Sequence, residues 1–318
     1  MLRPVVDAHA DIFSKSIEDG LDWADDSSFF DASPEKLRLG GVRLQVASIY
    51  VPSRVDGELA TKMALRIVGA AHDAARRVGG FSIVNTLSDL DHCQREGVIA
   101  FAFGMEGATP LLGSVDRLRL FAALGVRFLG LTHNHDNECG DGCFAKAPTG
   151  LTAKGRSMIA VAEGAGVTLD VAHLNPVSFG QLVDSASYPF VCTHAGCRSL
   201  LDVPRNLTDH QIRLLADSGG VFGVDAFPGH VGRSRAAGTI EDMARHIQHA
   251  LDLVGEDHVA LGADFDGIPT KLQGFEDAAR YPALFEYLGF KGVSDVALEK
   301  LASGNWLRVI RDALGRRP

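Results

Sequence analysis

Eight short, nearly unbroken apolar runs punctuate the chain: 5–11 (VVDAHAD), 42–51 (VRLQVASIYV), 98–107 (VIAFAFGMEG), 126–134 (VRFLGLTHN), 166–174 (GVTLDVAHL), 189–196 (PFVCTHAG), 220–227 (GVFGVDAF) and 258–267 (HVALGADFDG). They lack the polar alternation of half-exposed strands and predict strands buried on both faces, as in a parallel sheet. Between them, segments such as 58–77, 152–164, 208–218 and 239–254 carry apolar residues at three- and four-residue spacing, the helical period. The last has its own start and stop signals: Thr239 as N-cap, Glu241 and Asp242 in the first turn, and Gly255 past the end. Eight strand–helix alternations predict an α/β fold, a (β/α)8 TIM barrel over residues 1–318 as one domain, with extra C-terminal helices. A doubly wound open sheet is the competing arrangement, and the absence of a glycine-rich phosphate loop at the start of any helix disfavours it.

Charge narrows the partners. The net charge is −9, and no block of lysine and arginine forms a stripe, so nucleic acid and an anionic membrane surface are disfavoured and a small molecule is expected instead. Five cysteines, Cys93, Cys139, Cys143, Cys192 and Cys197, are odd in number and thinly spread, which does not read as a disulfide framework. The N-terminus enters a strand-like run at Val5 without the features of a signal peptide, and no stretch approaches a membrane span. A cytoplasmic location is the resulting expectation.

Metal-competent and acid–base residues fall late in the apolar runs: His9 and Asp11 in the first, Glu106 in the third, His133 in the fourth, His173 in the fifth, His194 in the sixth and Asp264 in the eighth. In a (β/α)8 barrel the C-terminal strand ends converge on one face, so residues scattered along the chain would meet in one cavity. His9 and Asp11, two apart, share a side of their strand, with Asp7 expected below them. Gly104 and Ala102 beneath Glu106, and Gly262 beneath Asp264, would leave room in the barrel mouth. Any one histidine is more often a satisfied core or surface group than a ligand; such a set at strand ends is not explained that way. Buried carboxylates at Asp11, Glu106 and Asp264 need a cation. Within this set, three imidazoles, His9, His173 and His194, and the three carboxylates suit zinc, with manganese and iron as alternatives. They are too many for one tetrahedral ion and match two ions sharing a bridging carboxylate and a hydroxide nucleophile.

These residues lie in motifs that together resemble the membrane dipeptidase (renal dipeptidase) family of the amidohydrolase superfamily: VVDAHADI, GMEGATPL, LTHNHDN, GLTAKGRSMI to GVTLDVAHL, THAGCRSL with VPRNLTDHQI, GADFDGIP, and YPALFEYL with LASGNWLRVI. The resemblance implies a zinc-dependent dipeptidase with two ions per chain. His9 and Asp11 would hold one ion, Glu106 would bridge both, and His173 and His194 would hold the second. Asp264 would sit against the first ion and move a proton to the leaving amine. His133 would polarise the scissile carbonyl and steady the oxyanion, and Arg205 would grip the free C-terminal carboxylate of the dipeptide. Tyr50 is a candidate for the pocket wall. L-L and L-D dipeptides are both expected substrates, and a homodimer is a compatible assembly. Superfamily members with an HxH pair on the first strand and a modified lysine on the fourth are disfavoured, because HAD stands first here and that lysine is absent. Hydrolysis of an N-acyl amino acid or lactone, or a non-catalytic metal-binding barrel, remain the alternatives.

Other polar groups have ordinary readings. The loop with His135, Cys139 and Cys143 is read as shaping access rather than as a third metal site. Cys192 is read as a small lumen filler sharing the face of His194, His246 and His249 as a solvated helix face, and Asp170 as facing the helix layer. His230, after the seventh run, is placed to line the cavity. The polar tail RDALGRRP and the start of the chain differ from the secretion signal and lipid-anchor tail of the animal enzymes, so a membrane role is not expected to carry over.

Overall fold

The computed structural model describes residues 2–234 and 237–316; the last two residues of the RDALGRRP tail lie outside them. Among the described residues nine strands appear in chain order: β1 (Val5–Ala10), β2 (Val42–Tyr50), β3 (Phe81–Ile83), β4 (Ile99–Glu106), β5 (Val126–Gly130), β6 (Thr168–Asp170), β7 (Cys192–Ala195), β8 (Phe222–Val224) and β9 (Val259–Leu261). Eight follow the order β6-β5-β4-β2-β1-β9-β8-β7, all pairs parallel. The ring closes between β6 and β7: the Val171 N–H donates to Val191 O at 2.7 Å and the Val191 N–H to Leu169 O at 2.9 Å. The fold is the expected (β/α)8 barrel. Among the described residues no helix is long and apolar enough to cross a membrane.

β3 is absent from the expected elements. It is three residues long with only Phe81 buried, too short for a periodic signal. It pairs with the lower half of β4, from Ile99 to Phe101, while β5 pairs with the upper half, Phe103 to Glu106. The helices follow their end signals. Asp209–Asp217 and Ile240–Val254 begin in capping boxes at Thr208 and Thr239, in which the cap hydroxyl and the N3 side chain satisfy otherwise orphan backbone N–H groups.

Two apolar layers surround the barrel wall. Phe101, Phe103, Ala47, Ile49 and their neighbours pack outward against the helices, whereas Val6, Leu44, Val46, Ala100, Ala102 and Phe128 point into the lumen, as a period of two requires. The C-terminal helix Asn305–Gly315 closes the lumen floor. Trp306 is fully buried, meets Phe128 edge-on at 5.8 Å and donates its indole N–H to Leu261 O at 2.8 Å. The Asn305 amide donates to the carbonyls of Glu256 and Val259, both at 2.8 Å.

Register irregularities decide which polar groups reach the mouth. On β1, Asp7 pairs with Gln45 but Ala10 with Ala47, a bulge that resets side-chain parity. Asp7 therefore does not lie below His9 and Asp11. It accepts from the Ala263 N–H at 2.9 Å and faces the Tyr281 hydroxyl of the outer layer. A second irregularity lies between Cys192 and Ala195. Cys192 consequently packs in the outer cluster and does not share the face of His194.

Candidate metal centre and substrate cavity

The C-terminal strand ends bring His9, Asp11, Glu106, His133, His173, His194 and Asp264 together. Glu106, at the end of β4, is the hub. Its Oε2 lies 3.4 Å from His9 Nε2 and accepts from the Ser48 hydroxyl at 3.1 Å. Its Oε1 lies 2.9 Å from His173 Nε2, 3.6 Å from His194 Nε2 and 3.8 Å from His133 Nε2. His9 Nε2 is also 3.7 Å from Asp11 Oδ2 and 3.9 Å from Asp264 Oδ1. Donor atoms close enough to share an ion form three groups: His9, Asp11 and Glu106; Glu106, His173 and His194; and His9, His194 and Asp264. Glu106 thus belongs to two of these groups, its two oxygens facing different histidines.

Backbone geometry makes the clustering possible. His173 and Asp264 stand just past their strands with φ of 64° and 61°, a left-handed conformation that non-glycine residues adopt rarely and that marks functional strain. Gly262 and Gly267 clear space. A Cβ at Gly262 would lie 1.9 Å from Thr193 O, and one at Gly267 would lie 2.2 Å from Asp11 Oδ2 and 2.6 Å from Asp264 Oδ1. Gly104 has the expected place beneath Glu106, facing Val46 and Phe128.

The hydrogen bonds behind the imidazoles set their tautomers. His173 Nδ1 meets Asn134 Oδ1 at 2.9 Å, an oxygen that only accepts, so Nδ1 carries the hydrogen. His194 Nδ1 meets Thr193 Oγ1 at 2.9 Å. That hydroxyl donates to Asp170 Oδ2 at 2.5 Å and so accepts from Nδ1–H. Both rings are left with an Nε2 lone pair, and these two nitrogens are 3.1 Å apart. Two lone pairs that close require a cation, and such buried partners are the usual means of orienting metal-bound histidines. Asp170 belongs to this support and does not face the helix layer as expected. The chain bends before His173, so parity counted back from His173 fails.

The charges agree. Burial pushes the Asp264 carboxyl well above its ordinary range, with repulsion from Asp11 and Glu106 adding to it; burial and Glu106 raise Asp11 likewise. Burial holds His173 and His194 well below the usual imidazole range, with Arg205 contributing. Against its own burial, His9 is drawn well above the usual imidazole range by Glu106 and Asp11, so the His9 side of the cluster attracts positive charge while His173 and His194 keep free nitrogens, a combination that fits divalent cations. Asp11 Oδ1 and His9 Nε2 are buried without a hydrogen-bond partner, which a metal ion would satisfy.

A cavity of about 550 Å³ opens above this cluster, lined among others by Tyr50, His133, Phe144, Phe227, His230 and Ile268. Tyr50 packs 4.8 Å from the His133 ring, and His230 lines the wall as expected. Arg205 is 4% exposed. One guanidinium nitrogen donates to His194 O at 2.6 Å, while Nε and Nη1 have no partner.

Elsewhere the expected roles divide. His135 is exposed while Cys139 and Cys143 are buried, and among the described residues none of them joins a metal-competent group. His246 is not on a solvated face. It is 1% exposed and its Nδ1 accepts from the Cys197 N–H at 2.9 Å; its neighbour His249 pairs with Asp209 at 2.9 Å. Asn134, Thr193 and Asp170 were missed as supports. Asn134 and Thr193 adjoin strand-end histidines in sequence, which was the available signal.

Carboxylates and imidazoles gathered at the C-terminal mouth of a parallel barrel define the class of metal-dependent (β/α)8 hydrolases. Residues 2–316 match the family model "Membrane dipeptidase (Peptidase family M19)", and the chain belongs to this family of metallopeptidases. It is 36% identical over 247 residues to an uncharacterized protein in the pqqA 5' region of Klebsiella pneumoniae, covering 75% of this chain and 91% of that one. It is 31% identical to dipeptidase tcpJ of Claviceps purpurea, over 70% of this chain and 53% of that one, so it spans about half the length of that curated relative. A crystal structure of a metallo peptidase from Rhodobacter sphaeroides, liganded with a phosphinate mimic of the dipeptide L-Ala-D-Ala, superposes with a TM-score of 0.92 at 26% identity, covering 98% of this chain and 100% of that one.

Proposed function

We propose that the chain hydrolyses dipeptides, L-L or L-D, at a two-ion centre, with zinc as the metal. His9, Asp11 and Glu106 would hold one ion and Glu106, His173 and His194 the other. Bound there, the ions would supply Lewis acidity and an acidified water for attack on the peptide carbonyl. Asp264, at the edge of the ligand set, would take the proton of the attacking water and pass it to the leaving amine. His133, which burial holds below the usual imidazole range, is neutral and can donate an N–H to the developing oxyanion.

The observation that carries the dipeptide reading is Arg205, a buried cation with two unpartnered nitrogens beside the ligand cluster. An unpaired buried charge is costly, and a carboxylate from the substrate would compensate it. Anchoring the free carboxyl end at a fixed distance from the ions selects dipeptides over longer chains. The dipeptide mimic in the Rhodobacter sphaeroides relative supports the L-D branch. The test is metal analysis, expected to find about two ions per chain, together with turnover of L-L and L-D dipeptides, N-acyl amino acids and lactones. Arg205→Met is expected to lower kcat/KM on dipeptides about a hundredfold, the size of a lost charged hydrogen-bond pair. Turnover confined to N-acyl amino acids or lactones would replace this reading with the other hydrolase, and metal binding without any turnover with the binding barrel.

A further inference from the structure

Asp225 follows β8, is fully buried, and has no part in the chemistry above. Its Oδ2 lies 2.6 Å from His230 Nδ1, and its Oδ1 accepts from the Phe227 N–H at 3.3 Å. With Nδ1 committed to Asp225, Nε2 is the polar atom that His230 offers to the cavity it lines. The ring is further fixed by the Phe227 ring, edge-on at 4.7 Å. Its backbone is tied to the segment that carries Arg205: the Asn206 amide donates to His230 O at 2.7 Å and accepts from the Gly196 N–H at 2.9 Å. A Cβ at Gly196 would lie 2.4 Å from His230 O, so this junction tolerates no side chain.

We propose that His230, held by Asp225, is a specificity residue that reads a carboxylate-bearing side chain on the C-terminal residue of the dipeptide. The proposal rests on the dipeptidase reading. Arg205 takes the α-carboxylate, and Asn206, the next residue, anchors His230, so the group within reach of Nε2 belongs to the same end of the substrate. With Nδ1 facing Asp225, an anionic group arriving at Nε2 would place a carboxylate at each ring nitrogen, an arrangement in which the imidazole donates from both sides through charge-assisted hydrogen bonds. On the opposite wall, from helix Ile12–Asp19, Lys15 also lines the cavity but already faces an acidic partner, Asp19 at 2.6 Å, and Glu18 is paired with Arg54. An acidic side chain is therefore drawn to the β8 side. Asp225 acts through His230 and is a positioning residue.

The experiment compares alanyl dipeptides ending in glutamate or leucine of the same configuration, and measures calorimetric binding of free glutamate and leucine, the products, to the metal-loaded protein. The wild type is expected to favour glutamate by about tenfold or more in kcat/KM and in binding. His230→Phe is expected to abolish that ratio, His230→Gln to keep part of it, and Asp225→Asn to reduce it through KM rather than kcat. Equal kcat/KM on the two dipeptides overturns the inference and leaves the dipeptidase reading intact. Glutamate binding no tighter than leucine, or a preference that survives His230→Phe, overturns it with or without turnover. Failure to cleave any dipeptide while glutamate binding depends on His230 overturns the dipeptidase reading instead.

Discussion

His173 Nε2 and His194 Nε2 face each other across 3.1 Å, each with its other ring nitrogen already hydrogen-bonded. The chain holds two lone pairs together in advance of any ion, and Thr193 is the residue that commits His194 to this. Thr193→Val preserves shape and removes the hydroxyl. It is expected to weaken metal binding about ten- to a hundredfold, read by competition with a chelator. Unchanged affinity would show that the Asp170–Thr193–His194 line has no part in orienting the ligand.

Gly267 is the empty corner between Asp11 and Asp264. A methyl group there would lie 2.2 Å and 2.6 Å from their carboxylate oxygens and force one to turn away. Gly267→Ala is expected to lose about half of the bound metal with little change in far-UV circular dichroism. Full occupancy in the variant would mean that the carboxylates can both move without leaving the ion.

Acid sensitivity has an identifiable source away from the mouth. Burial brings His246 down to about 4, while its Nδ1 accepts from the Cys197 N–H. An unfolded chain takes up this proton near pH 6.5 and the folded one only near 4, so the unfolded state binds more protons between those values. Stability is therefore fully present above about pH 6.5 and falls as the pH drops toward 4, by about 3 kcal/mol in all. Denaturant titrations of metal-free protein should show that slope, and His246→Gln should flatten it. A slope equal in both proteins would assign the acid sensitivity to other groups.

Trp306 tests the floor. Trp306→Ala removes a fully buried indole and its hydrogen bond to Leu261 O, leaving a cavity under the barrel. A loss of about 3–5 kcal/mol is expected, measured as a shift in urea midpoint. A loss below 1 kcal/mol would mean the lumen is closed by other side chains.

Much of this was legible in the residues. Continuous apolar runs and helix caps such as Thr239 report local rules, and a barrel has few ways to satisfy them; the strand-end polar residues then follow from where strands stop. What escaped depends on register. The parity of Asp7 and Cys192 is set by irregularities in β1 and β7, and that of Asp170 relative to His173 by the turn after β6, none of which any periodicity announces. β3 is too short to pattern. His246 looks like any helix-surface histidine until the backbone of Cys197 comes to meet it across the fold.

Asp7 accepts a hydrogen bond from the Ala263 N–H across 256 positions of sequence, and the Asp264 N–H donates to His9 O. The first and last strands of the ring are neighbours, so the proposed ligand set joins residues that are far apart in the sequence. A chain folded only as far as His9, Asp11 and Glu106 would have half of the proposed centre. Loop closure of this length makes folding slow, and metal capture becomes a reporter of its completion: ion uptake during refolding should lag behind helix formation and coincide with burial of Trp306.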